Sequence, residues 1–203
     1  MDLGNKVIVG IDEVGRGPLA GPMVIGAVIM GDAPRIRGVK DSKQLDAITR
    51  YRLSQKIRRR ARAVGLGWAV HSEIDEFGLT KAWILAAHRA LVELNHPFDH
   101  ALIDGKFNPL KDHYESTAII GGDNLVYEIA AASIVAKVAR DQYMAREMHR
   151  LYPKYGFRRH KGYATKKHIA AIKKYGVCDI HRHSFVHMTG QNFYLNLDDI
   201  FEN

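Results

Sequence analysis

Two periods of apolar residues alternate along this chain. Residues 7–11 form a short β-branched run and residues 23–30 a second apolar run; both are short for helices and read as strands. Between them stand Asp12 and Glu13, then a turn holding Gly15, Arg16, Gly17, Pro18, Gly21 and Pro22. The prolines bar a helix there, and the glycines admit backbone that side chains would block. Residues 31–38 read as a loop. Leu45, Ile48, Leu53 and Ile57 give a rough amphipathic stripe, so a helix is expected over 43–63, capped by Asp41 or Ser42. A strand is expected over 65–74 and a helix over 79–94. Residues 100–103 should form a strand that delivers Asp104, and 116–120 another that leads through Gly121 and Gly122 to Asp123. The longest helical pattern is 124–151, whose small apolar segment 129–136 suits close packing on a sheet. A helix over 165–175, capped by Thr165, and a terminal helix around 191–195 complete the expectation. Adjacent strands mixed with helix-connected strands predict an α/β fold, a mixed β-sheet flanked by helices.

Composition narrows the picture. The 203 residues suit a single domain over 1–203, with roughly 152–203 forming a small helical C-terminal part. The net charge of +8 suits a polyanion partner, because each neutralised phosphate releases counterions. One cysteine, Cys178, excludes an internal disulfide and fits a reducing compartment, so a cytoplasmic location is expected. Every long apolar run is broken well short of a membrane span, and the first residues lack the regions of a signal peptide. The basic run over 56–62 reads as a solvated helix face, with a non-specific phosphate patch as the alternative. No repeat or linker stands out, and nothing suggests more than a monomer.

Four carboxylates, Asp12, Glu13, Asp104 and Asp123, each sit beside a passage from strand to glycine. If their strands are neighbours, the four can converge, and they then repel one another unless cations neutralise them. Oxygen-only donors suit Mg²⁺ or Mn²⁺, and two such ions ~3.5–4 Å apart activate water and steady a leaving oxygen in phosphodiester hydrolysis. Successive strand side chains point to opposite faces, so Asp12 and Glu13 reach one metal together only if the strand ends or bends there. Asp141 reads either as an outer carboxylate or as the partner of Arg140 or Arg146. Five histidines, His160, His168, His181, His183 and His187, crowd the C-terminal part, but no Cys-x-x-Cys or His-Glu-x-x-His spacing supports zinc.

The stretch from Asp12 to Pro22 resembles the opening of ribonuclease HII, whose pattern is Asp-Glu-Ala-Gly-Arg-Gly-Pro-Leu-Ala-Gly-Pro; here Val14 replaces the alanine. Further matches follow in order. They are Asp41-Ser42-Lys43-Gln44-Leu45, Leu102-Ile103-Asp104-Gly105, Gly121-Gly122-Asp123, 130–137 with Arg140-Asp141, Tyr152-Pro153 through Phe157, His160-Lys161-Gly162-Tyr163, and His181-Arg182 with Ser184-Phe185. Several motifs in one order are more specific than any one of them. The resemblance implies a ribonuclease H-like fold and makes Asp12, Glu13, Asp104 and Asp123 the catalytic, metal-binding carboxylates of a two-metal site. It implies hydrolysis of the RNA strand of RNA–DNA hybrids and incision 5′ of single ribonucleotides in duplex DNA, leaving 3′-hydroxyl and 5′-phosphate ends. That activity would serve DNA repair and replication. Gly15, Arg16 and Gly17 would read the RNA-to-DNA junction, where the 2′-hydroxyl marks RNA. Tyr163 would stack on the following deoxyribose, although Ala164 replaces an expected glycine, and Lys43 and Lys161 would contact phosphates. A replication clamp as partner rests only on the C-terminal peptide. The alternatives are ribonuclease HIII, disfavoured by an acidic pair so near residue 1, a basic binding module without catalysis, and a transposase-like enzyme, which lacks the Gly-Arg-Gly turn.

Overall fold

The computed structural model describes residues 6–40, 42–189 and 192–195. Strands β1 (Ile8–Val14) and β2 (Met23–Met30) pair antiparallel, with Gly10 opposite Val28 and Asp12 opposite Gly26. The chain then makes a single 3-10 turn at Ser42–Gln44 and enters α1 (Ala47–Arg60). Asp46 caps this helix, its carboxylate accepting from Ile48 N and Thr49 N at 2.9 Å each. The expected cap is thereby corrected: Ser42 lies in the preceding turn, and Asp41 falls outside the described residues. β3 (Ala61–Ala69) follows at once, and α2 (His71–Leu94) starts where the strand was expected to continue to residue 74. A kink at Gly78, whose φ is 73°, interrupts α2. β4 (His100–Asp104) and β5 (Ser116–Ile119) lead to the short α3 (Gly122–Leu125) and then to α4 (Tyr127–Tyr143). A π-helical turn (Met144–Met148) continues into α5 (His149–Leu151). A 3-10 turn (Pro153–Tyr155), α6 (Phe157–His160) and α7 (Lys166–Tyr175) come next.

The chain divides into two compact units. The first comprises Met1–Val14, Val24–Trp68 and Trp83–Val138. Its sheet has the order β3-β2-β1-β4-β5, with β1, β4 and β5 parallel and β2 antiparallel to β1. The mixed sheet expected from the sequence is therefore present. Gly10, Asp12, Gly26 and Val28 share one face by register and pleat. A Cβ at Gly10 would strike the backbone of Glu128, and one at Gly26 that of Ala132, so α4 lies directly on this face. Val28 joins Leu53 and Ile57 of α1 and Ala131, Ala132, Ile134 and Val135 of α4 in one buried cluster. Gly65 and Gly67 of β3 allow an equally close approach by the backbone of α2 at Ala86 and Ala90.

The second unit comprises Gly15–Met23, Ala69–Ala82 and Ala139–Asn203. The glycine-rich turn is tied to distant chain by backbone bonds. Leu19 N–H donates to Gly162 O at 2.9 Å, and Gly21 N–H to Ile180 O at 2.8 Å. Asp75 accepts from the backbone of His183 at 2.8 Å and of Ser184 at 3.0 Å. The expected terminal helix is replaced by a hairpin of β6 (Val186–Thr189) and β7 (Asn192–Leu195), with Val186 opposite Leu195. An isolated helix of that length is marginal, whereas Phe193 and Tyr194 favour strand backbone.

Candidate active site

β1 runs straight through the acidic pair and ends at Val14, beyond the expected end at residue 11. Asp12 faces α4. β4 carries Asp104 as its last residue, in parallel register beside β1. Gly121, left-handed at φ 66°, turns the chain after β5 so that Asp123 opens α3. Asp123 N–H donates to Asp104 Oδ1 at 3.4 Å. One oxygen from each of Asp12, Asp104 and Asp123 lies within 4.8 Å of the others.

Asp12 and Asp123 are both 4 % exposed, so their charges are largely withdrawn from water. Burial, then the charges of Glu13 and Asp104, push the Asp12 carboxyl well above its ordinary value. The Ser133 side chain and the Glu13 N–H, 2.7 Å from Asp12 Oδ1, oppose that rise. Lys43 Nζ stands 3.8 Å from Asp123 Oδ2, but its side chain is 77 % exposed and screened. Ser42 Oγ accepts from Ser133 Oγ at 2.8 Å, which fixes the turn carrying Lys43 to α4. Three crowded oxygen donors with one screened cation fit a hard divalent ion.

Glu13 points from the other face of β1. Its Oε2 accepts from the indole Nε1 of Trp83 in α2 at 3.1 Å. Because the strand neither ends nor bends between Asp12 and Glu13, the pleat separates them. Glu13 thus stands outside the three-carboxylate set while its charge is still felt at Asp12.

In the second unit the Gly15-Arg16-Gly17 turn rests on two fully buried arginines. Arg182 donates to Gly15 O and Arg16 O at 2.6 Å each, and to Gly21 O at 2.9 Å. Arg140 donates to Pro22 O at 2.7 Å, Lys161 O at 3.1 Å and Ala20 O at 3.2 Å. Burial lowers the pKa of both, and the like charge of Arg140 adds to the lowering at Arg182. Gly15 has φ 96°, and a Cβ there would meet Arg140, so glycine is required. The ring of Tyr163 lies 5.5 Å from the Arg140 guanidinium, a cation–π distance. Asp141 offsets part of the burial of Arg140 by its charge. Lys161, left-handed at φ 54°, turns its ammonium onto the carbonyls of Arg158 and Arg159.

His160, His168 and His181 form hydrogen bonds to protein. His168 Nε2 and His181 Nε2 are 3.1 Å apart, and His160 stacks on His168 at 4.3 Å. His168 Nδ1 pairs with Tyr163 O at 3.0 Å. The side chain of His187 lies outside the described residues. Among the described residues the only candidate metal group is the aspartate set. Burial pushes the Cys178 thiol up to about 11, which leaves it protonated and unreactive.

The family model for ribonuclease HII matches residues 9–188. The chain belongs to the ribonuclease HII family. A ribonuclease HII from Nitrosomonas europaea is 49 % identical over 190 residues, covering 93 % of this chain and 86 % of that protein. The ribonuclease HII in a PCNA complex from Archaeoglobus fulgidus superposes with a TM-score of 0.72 at 27 % identity, covering 90 % of this chain and 96 % of that one. Bst-RNase HIII in complex with Mn²⁺ gives a TM-score of 0.60 at 25 % identity, over 74 % of this chain and 56 % of that one. The fold is thus ribonuclease H-like, and the chain is a ribonuclease H, a nuclease acting on RNA–DNA hybrids. The three aspartates form a cluster able to hold metal. Among the described residues no helix is long and apolar enough to cross a membrane.

Ser133, Trp83 and the clamping role of Arg182 escape a sequence reading. Ser133 and Trp83 look like ordinary packing positions, and their contacts come from chain distant in sequence. Arg182 stands in a recognisable motif, but nothing local says that it is buried.

Proposed function

We propose that this member of the ribonuclease HII family incises duplex DNA 5′ of a single embedded ribonucleotide, as well as cutting longer hybrids, by two-metal chemistry that leaves 3′-hydroxyl and 5′-phosphate ends. The convergence of Asp12, Asp104 and Asp123 oxygens within 4.8 Å carries the reading. Asp12, Asp104 and Asp123 would hold Mg²⁺ or Mn²⁺, with Glu13 the fourth carboxylate; the Mn²⁺ complex of the RNase HIII neighbour supports the choice. The bound ions would supply an activated water and stabilise the leaving oxygen.

The chain's own groups do the rest. Asp12, raised in pKa by burial, gains from any cation that enters. Trp83 restrains one oxygen of Glu13. Arg182 holds the carbonyls of Gly15 and Arg16, and Arg140 those of Ala20 and Pro22 at the far end of the same turn, which supports the assignment of Gly15-Arg16-Gly17 to the ribose 2′-hydroxyl. Tyr163 would stack on the deoxyribose that follows the ribonucleotide, and Lys43 and Lys161 would meet phosphates, Lys161 after leaving its carbonyl partners.

Residues 1–203 would act as one catalytic domain, a monomer in the cytoplasm, in ribonucleotide removal and primer clearance. The PCNA complex of the archaeal relative supports a replication clamp as partner. The test is a duplex with one ribonucleotide and both ends labelled. Incision on the 5′ side with a 3′-hydroxyl product is expected; cutting of long hybrids only would reject the junction reading by Arg16 and Tyr163.

A further inference from the structure

The second unit holds a cavity of about 410 Å³ that the carboxylate chemistry does not use. Lys154, Arg158, Arg159 and Lys167 bring four fixed cations to its wall, and His149 and His160 two imidazoles. Among the described residues no carboxylate lines it. Like charges around one hollow repel, and an entering anion removes that repulsion. Adjacent arginines offer planar forks that match phosphate oxygens.

The wall is already organised. Tyr155 donates its hydroxyl to Gly176 O at 2.9 Å, and His160 Nε2 pairs with Tyr155 O at 2.7 Å. Gly156, at φ 76°, places no side chain at that point of the lining. The aromatic ring present is not free to stack a base, since Tyr155 stacks on Phe157 with centroids 5.6 Å apart. Charge without a stacking face favours a sugar–phosphate backbone over a base or a nucleotide.

We propose that this cavity seats a backbone phosphate of the nucleic-acid duplex, as an anchor chemically separate from the metal-binding carboxylates. Only the choice of duplex as the source rests on the nuclease reading. The site adds affinity irrespective of base sequence and makes binding steeper in salt.

The test is the salt dependence of duplex binding, measured in chelator so that no cleavage intervenes. Arg158→Gln with Arg159→Gln changes two exposed positions, and a thermal melt checks the fold. The slope of log Kd against log salt should fall by about 1–2, and affinity by roughly tenfold near about 100 mM salt. Arg58→Gln with Arg59→Gln removes equal charge from α1 and should change both less. A wild-type slope in the cavity variant, or an equal fall in the α1 control, overturns the proposal. Inorganic phosphate, titrated by ³¹P resonance, should compete with duplex for the wild-type protein alone. Arginine-dependent phosphate binding with an unchanged duplex slope would make this a small-anion site and overturn the duplex assignment. Loss of cleavage in the wild-type protein would reject the nuclease reading and leave the slope to decide here.

Discussion

Trp83 Nε1 donates to Glu13 Oε2 at 3.1 Å, so the second residue of the acidic pair is held by a helix on the opposite face from Asp12. The pair is therefore split by the pleat of β1: one carboxylate enters the aspartate cluster, the other is restrained beside it. Trp83→Phe removes the donor while keeping most of the ring. With Glu13 as the proposed fourth carboxylate, loss of its outer partner should raise the metal concentration for half-maximal cleavage about tenfold, the low end of the 10–100-fold such partners typically contribute. An unchanged metal dependence with a normal melt would show that Glu13 needs no restraint.

Asp104→Asn removes one carboxylate from the aspartate cluster and leaves the backbone acceptors in place. Cleavage should fall by on the order of 10³-fold or more, with hybrid affinity within about threefold of wild type. Binding and cleavage lost together, with a lowered melting temperature, would make Asp104 structural.

These carboxylates were legible because each stands where an apolar run meets glycine, before it at Asp12, Glu13 and Asp104 and after it at Asp123, a local pattern that survives in the fold. What pairing and burial decide was less legible. The length of β1, set by its register with β2, carries the strand past Glu13. α1 starts at Ala47 behind its cap Asp46, while Ser42, the expected cap, turns inward to Ser133. The C-terminal hairpin replaced a helix because its two short strands satisfy each other.

The arginine clamp predicts a large stability effect from a residue that sequence alone would place on the surface. Arg182→Met leaves the carbonyls of Gly15, Arg16 and Gly21 without their buried donor. Urea denaturation should show a loss of about 3–5 kcal/mol. Arg182→Lys, lacking the planar fork, should recover only part. A loss under about 1 kcal/mol for the methionine variant would contradict the clamp.

Tyr163→Ala should weaken incision at a single ribonucleotide by about tenfold more than cutting of a long hybrid, with overall affinity little changed. Tyr163→Phe should retain junction cutting, since the face of the ring supplies the contact. Equal loss on every substrate would assign Tyr163 to packing over Arg140 instead.

The buried histidine pair makes stability fall in acid. Burial pushes His168 down to about 3 and His181 to about 4, whereas both titrate near 6.5 when unfolded. Above the unfolded value both states are neutral and the pair costs nothing. Below it the unfolded chain binds protons that the folded chain refuses, so each histidine removes about 1.4 kcal/mol per pH unit until its folded value is reached. Denaturation at pH 7 and pH 5 should differ by a few kcal/mol, and His181→Asn should flatten the slope. Equal stability at both pH values would contradict the burial of neutral imidazoles.

The central claim is that the aspartate cluster works only with a divalent ion. The direct measurement is cleavage of an RNA–DNA hybrid by chelator-stripped protein as Mg²⁺ or Mn²⁺ is added. No cleavage before addition, a saturable rise with either ion, and a flat response from Asp104→Asn are predicted. Cleavage that persists in chelator at the fully restored rate would contradict the account.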